Sequence, residues 1–164
     1  MTISDASPGF QRGLARSRRI SALASIDVDP TDSRSLIAQH PTLAARMAGG
    51  QGAATRQAQH AWALLYDAAH LIDQVQDNHL TNFPDRNTTL NAAVALFFEA
   101  AEQIGQLPLA LQTHLFRLMR ETVSGQVEDC LNDHPALAEA LVIAEKKTGA
   151  FMALGCWLGA ASCG

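Results

Sequence analysis

Prolines and glycines cut this chain into alanine-rich segments, and none of them alternates apolar and polar residues as a half-buried strand must. With β-branched residues sparse and alanine dominant, the sequence predicts an all-α protein. Breaks at Pro30, Gly49, Gly50, Pro84, Pro108 and Pro135 place helices at 9–26, 31–47, 53–79, 87–105, 108–132 and 135–161. A length of 164 residues sets one domain over 1–164. Its first part, 1–50, reads as a less regular helical arm, because Gly13 and the polar run from Asp27 to Ser35 interrupt the pattern, and 53–164 reads as the bundle.

Charge and cysteine usage narrow the function classes. A net charge of −4, with a single dense basic cluster at Arg12, Arg16, Arg18 and Arg19, excludes a nucleic-acid footprint. Cys130, Cys156 and Cys163 have no metal-ligand spacing and leave an odd thiol, which suits a reducing cytoplasm. The longest apolar stretch, Ala150 to Ala161, falls short of the roughly twenty residues that span a bilayer, and the opening residues lack a signal-peptide core. A cytoplasmic protein without a membrane span is expected.

On a helical wheel for 53–79, Ala61, Leu64, Leu65, Ala68, Leu71, Ile72 and Val75 share one broad arc, the expected core face. Tyr66, His70, Asp73 and Asp77 share the opposite arc. Asp73 and Asp77 are i and i+4, so their carboxylates project side by side, either as a solvated polar face or as a divalent-cation site. Asp67 and His70 have the spacing of half a di-iron motif, but no second carboxylate-x-x-His accompanies it.

Two further segments carry more than packing. Lys147 falls inside an apolar stripe with Ala140, Ile143, Phe151, Leu154 and Leu158, whereas Lys146 falls on the surface side. A buried ammonium needs an anion, so Lys147 either snorkels to the rim or faces a cavity holding negative charge. In 108–132, Gln126 shares an arc with Leu115, Met119 and Thr122 and is expected to point inward. Gly125 beside it marks either a close helix approach or a tolerated weakness. An acidic pair, an amide and a lysine on three helices suit one cavity for a metal-bound diphosphate, in which Mg2+ bridges carboxylate and phosphate oxygens.

Three motifs then appear in order: AWALLYDAAHLIDQVQDN at 61–78, SGQVED at 124–129 and EKKTGAFMALGCWLGAASCG at 145–164. They resemble the first aspartate-rich helix, the GQxxD element and the KTG helix of the trans-isoprenyl diphosphate synthases, also called the polyprenyl synthetase family. The segment TTLNAAVALFFEAAEQI is similar to the family's alanine-rich helix after the first motif. The resemblance implies an isoprenoid-synthase-like helical bundle, shortened, that binds an allylic prenyl diphosphate with Mg2+ and carries out prenyl transfer in isoprenoid biosynthesis. It implies Asp73 and Asp77 as Mg2+ ligands, Lys147, Gln126 and Thr148 as diphosphate contacts, and His70, Gln74 and Asp129 as accessory groups.

The chain also departs from that pattern. Gln74 stands where the family has its second aspartate, Gly49-Gly50-Gln51-Gly52 lacks the family's basic residue, and the arginine pair after the first motif is reduced to Arg86. The sequence ends at Gly164, directly after the KTG helix, with no second aspartate-rich motif. The expectation is therefore the amino-terminal portion or a natural fragment of a full-length synthase, inactive alone, or a homodimer, in which symmetry-related Asp73 and Asp77 oppose each other, or a partner subunit. The alternative is a non-catalytic helical subunit or binding protein derived from a polyprenyl synthetase. The helix ending FMALGCWLGAASCG is expected to lie uncovered. Phe97, Phe98, Tyr66 and Trp62 are candidates for the cavity floor, or else ordinary core.

Overall fold

The computed structural model describes residues 37, 39–50, 52–80, 83 and 85–163. The expected helix 9–26, the start of 31–47 and the Arg12 to Arg19 cluster lie outside the described residues. Among the described residues every regular element is a helix: α1 (His40–Met47), α2 (Ala53–Gln76), α3 (Arg86–Ile104), α4 (Leu109–Leu131), α5 (Leu137–Ala144) and α6 (Ala150–Ala161). The all-α expectation holds.

The helix ends follow local chemistry. Asp85 caps α3, accepting from Thr88 N at 2.8 Å and from Thr88 Oγ1 at 2.7 Å, which satisfies an orphan donor of the first turn. Glu139 reaches back to the Ala136 N–H at 3.1 Å at the start of α5. At the end of α2, Asn78 takes a positive φ of 56°. The Asn78 N–H then donates to the Val75 carbonyl and the His79 N–H to that of Gln74, a Schellman closure that stops the helix at Asp77.

The expected single helix over 135–161 is instead α5, a π turn at Glu145–Gly149, and α6. A π turn carries i→i+5 bonds, so a wheel drawn at constant α pitch loses register across it. Gly125 explains where the turn sits. A Cβ there would stand 2.7 Å from Lys146 Cβ and closer still to the Lys147 backbone nitrogen. Of the two readings of Gly125, close approach is therefore the one observed.

α2 and α3 run side by side, joined at one end by Gln57 donating to Gln106 at 2.8 Å and at the other by Arg86 donating to the Val75 carbonyl at 3.2 Å. Ala61, Leu64, Leu65, Ala68 and Leu71 are at most 3% exposed, as the wheel predicts, with Ile72 and Val75 half-buried at the margin. Trp62, off that arc, is nonetheless fully buried, because α1 and α6 cover a second side of α2. Its Nε1 donates to the Ile37 carbonyl at 2.8 Å, and its ring meets Phe151 at a centroid distance of 4.5 Å.

The expectation that the last helix lies uncovered is overturned. Leu154 and Leu158 are fully buried, and α6 lies against α1, α2 and α4. Small residues allow this: a Cβ on Gly155 would stand 2.9 Å from Trp62 Cε2, and one on Gly159 2.6 Å from Pro41 Cα. The exposed apolar face lies elsewhere. Leu90, Val94, Phe97 and Phe98 form a stripe along α3, and Phe116, Val123 and Val127 one along α4, each at i, i+3/i+4 and i+7 spacings.

Candidate functional site

The motif residues converge where the end of α2, the second half of α4 and the π turn meet. Asp73 lies in the last turn of α2 and is half-buried, whereas Asp77 is its exposed C-cap. Helix carbonyls make that end partially negative, so two carboxylates there oppose the macrodipole and favour a cation beside them. Burial pushes the Asp73 carboxyl above the usual carboxylate range; Lys147 and His70 pull against this, and Asp77 and Asp129 add to it.

Lys147 brings a positive charge from the π turn to these carboxylates. Its Nζ donates to Asp129 Oδ2 at 2.7 Å, bridging the π turn to α4. Burial alone lowers the proton affinity of this ammonium, but the bond to Asp129 and the charges of Asp73, Asp129 and Cys130 outweigh it and hold it above the usual lysine range. Lys147 does not line the cavity: its half-buried side chain reaches the partly exposed Asp129 carboxylate, an ion pair at the surface. Lys146, expected on the surface, is half-buried and pairs with Glu128 at 2.7 Å.

The amides behave differently from each other. Gln126 is half-buried and donates to Gln76 Oε1, tying α4 to α2 beside Asp73, and contacts Cys130 Sγ at 3.8 Å. Gln74, at the position of the family's second aspartate, is buried and turned toward His70, with Nε2 donating to the ring nitrogen at 3.0 Å. The His70 ring is in turn parallel to Tyr66 at a centroid distance of 6.4 Å. Gln74 and His70 thus pair with each other, and Thr148 is exposed on the π turn. The charges of Asp77, Asp129, Lys147 and His70 all act on Asp73, Gln126 shares the cavity rim with it, and Gln74 and Thr148 lie outside that group.

Beside Asp73 opens a cavity of about 200 Å³ between α2, α3, α4 and α6. Leu65, Ile72, Phe97, Met119, Val123 and Phe151 make it apolar, and Asp73, Gln76 and Gln126 give it a polar rim. Of the four floor candidates, Phe97 lines it; Phe98 points to solvent at 70% exposure, Trp62 is core, and Tyr66 stacks toward His70 and Phe151. Sequence reasoning did not single out Gln76, Phe151 or Val123 as part of this site; their only signal is their spacing from Asp73 and Gln126 on adjoining helix faces.

Among the described residues no group of three or more His, Cys, Asp or Glu side chains is placed to hold a metal. Asp73 and Asp77 contribute two carboxylates on successive turns of α2, too few on their own to complete a cation's shell. No described helix is long and apolar enough to cross a membrane. Compared with protein-family models and with curated proteins, the sequence matches none.

Proposed function

We propose that this chain is an isoprenoid-synthase-like bundle that binds an allylic prenyl diphosphate with Mg2+ and takes part in prenyl transfer in isoprenoid biosynthesis. The observation that carries the reading is the apolar cavity whose polar rim is Asp73, Gln76 and Gln126, with the Lys147 charge acting on Asp73 from outside the lining. A prenyl diphosphate has that polarity: a hydrocarbon tail for the cavity and a polyanionic head for the Lys147 end. Asp73 and Asp77 would hold Mg2+, which would supply charge neutralisation of the diphosphate. Lys147 would hold a phosphate oxygen as a point charge, Gln126 would orient the head as an amide donor, and Phe97 and Phe151 would keep water from the tail. The volume lies below the roughly 300–1,000 Å³ of ordinary ligand pockets, so a short allylic tail suits it best.

One observation favours the second reading, a non-catalytic binding subunit: Gln74 is neutral and turned to His70, so α2 presents a single carboxylate pair. Either way the exposed stripes of α3 and α4 support association with a second copy or a partner subunit, and the cysteine usage supports a cytoplasmic setting.

The test is incubation of the purified chain with Mg2+, an allylic diphosphate and labelled isopentenyl diphosphate, beside Asp73→Ala and with a binding measurement. Elongated product that Asp73→Ala abolishes is the expected result for an enzyme. Binding without product selects the subunit reading, and diphosphate affinity unchanged in Asp73→Ala removes the site assignment.

A further inference from the structure

The apolar side chains exposed on α3 and α4 are ordered rather than scattered. Leu90, Val94, Phe97 and Ala101 fall at i, i+4, i+7 and i+11 along α3. Phe116, Arg120, Val123 and Val127 repeat the same spacing along α4. A seam of two positions in seven is what another helix packs against, whereas a lipid surface takes a broad apolar face. The seams cannot cover each other within one chain, because α3 and α4 stand apart beyond the turn 105–108. Their inner margin is the cavity itself. Phe97, Val123 and Val127 line it and are 37%, 55% and 51% exposed, so its open side lies between the two seams.

We propose that a second copy of this chain lays its α3 along α4, antiparallel and about a two-fold axis, and closes the open side of the cavity, so that the hydrocarbon site is complete only in the dimer. The completed site rests on the reading of the cavity as a hydrocarbon pocket; the pairing does not. Charge favours a copy of this chain over an unrelated partner. The second half of α3 carries exposed Glu102 and no basic residue, and the first half of α4 carries exposed Arg117 and Arg120 and no acidic one. Consecutive helices on a short turn run in opposite senses, so a two-fold axis along them sets the acidic half of each α3 beside the basic half of the other copy's α4. Helices of 19 and 23 residues are about 28 and 34 Å long, and at about 10 Å of width they present about 600 Å² per copy, near the lower limit of a specific interface.

Sedimentation equilibrium of the wild type, Phe98→Glu, Arg117→Glu and the double variant Arg117→Glu/Glu102→Arg, each with and without geraniol, tests this. Geraniol is a prenyl alcohol whose uptake needs no diphosphate contact. The wild type is expected to be a dimer at micromolar concentration, tightened at least about threefold by saturating geraniol. Phe98 is 70% exposed and outside the cavity lining, so its replacement leaves the fold and the pocket intact. Phe98→Glu and Arg117→Glu should each weaken the dimer at least about tenfold, and adding Glu102→Arg to the latter should restore it to within about threefold. As monomers, the single variants should bind geraniol at least about tenfold more weakly than the wild type. A monomeric wild type overturns the pairing, and one that floats with phosphatidylglycerol vesicles gives the seams to a lipid surface instead. A dimer that survives both single substitutions, or that the charge exchange does not restore, uses another face and overturns it too. Geraniol bound equally well by monomer and dimer removes the completed site while the hydrocarbon reading stands. If geraniol binds under no condition, that reading falls and the completed site with it.

Discussion

The two ends of α2 solve opposite problems. Around Trp62 everything is filled: the indole N–H has its carbonyl, Gly155 and Gly159 let α6 and α1 close in, and Leu154 and Leu158 are sealed beneath. At Asp73 the same helix breaks local rules. Its last turn and C-cap carry carboxylates where the dipole favours cations, a lysine from the π turn pairs with a further carboxylate on α4, and a cavity stays open beside Asp73. Natural sequences violate such rules mainly where function requires it, so the contrast sets a structural end against the proposed working one.

Substitution breaks or sharpens that contrast most strongly at its extremes. Trp62→Ala empties a fully buried site and should cost about 3–5 kcal/mol in chemical denaturation, leaving diphosphate affinity of the folded fraction intact. Asp73→Asn should do the reverse, keeping or slightly raising stability by relieving repulsion from Asp77 and Asp129 while binding is lost. A stability loss at Asp73 as large as that at Trp62 would erase the distinction. The glycines test it on a smaller scale. Gly159→Ala forces Pro41 away and should cost about 1–3 kcal/mol with no effect on binding. Gly125→Ala should cost a similar amount but also weaken diphosphate binding, because the backbone it displaces is that of Lys147.

The structural end is the more legible of the two in sequence, though unevenly. Pro84 and Pro108 punctuate the chain sharply enough that α3 and α4 fall within a residue of their expected ends. The burial of Leu64, Leu65 and Leu71 follows directly from periodicity. Trp62 escapes it because a wheel shows one dry face, whereas α2 is covered on more than one side. The working end is harder. The π turn adds no compositional mark, and it alone decides that Lys147 meets Asp129 across a separation of 18 residues. Gln74 reads as a substitute ligand by alignment of its motif, yet it lies about 100° around the helix from Asp73, where His70 takes its amide. Side-chain direction, rather than residue type, is what the sequence leaves open there.

The smallest effect concerns a carboxylate that belongs to neither end. Asp67 lies between them on α2, and burial pushes its pKa up to about 6. A carboxyl whose folded pKa is raised binds its proton more tightly in the native state than in the unfolded chain. Its contribution is therefore present at acid pH and is lost as pH rises from the unfolded carboxylate value through about 6. Asp67→Asn should remove that dependence. Thermal melts of the wild type and the variant are expected to coincide near pH 4 and to separate above pH 6, with the variant more stable by about 1 kcal/mol once water screening of a half-buried group is allowed for. If Asp67 instead belongs to the working end, Asp67→Asn will weaken diphosphate binding as Asp73→Asn does, and the boundary between the two ends must be drawn two turns earlier along α2.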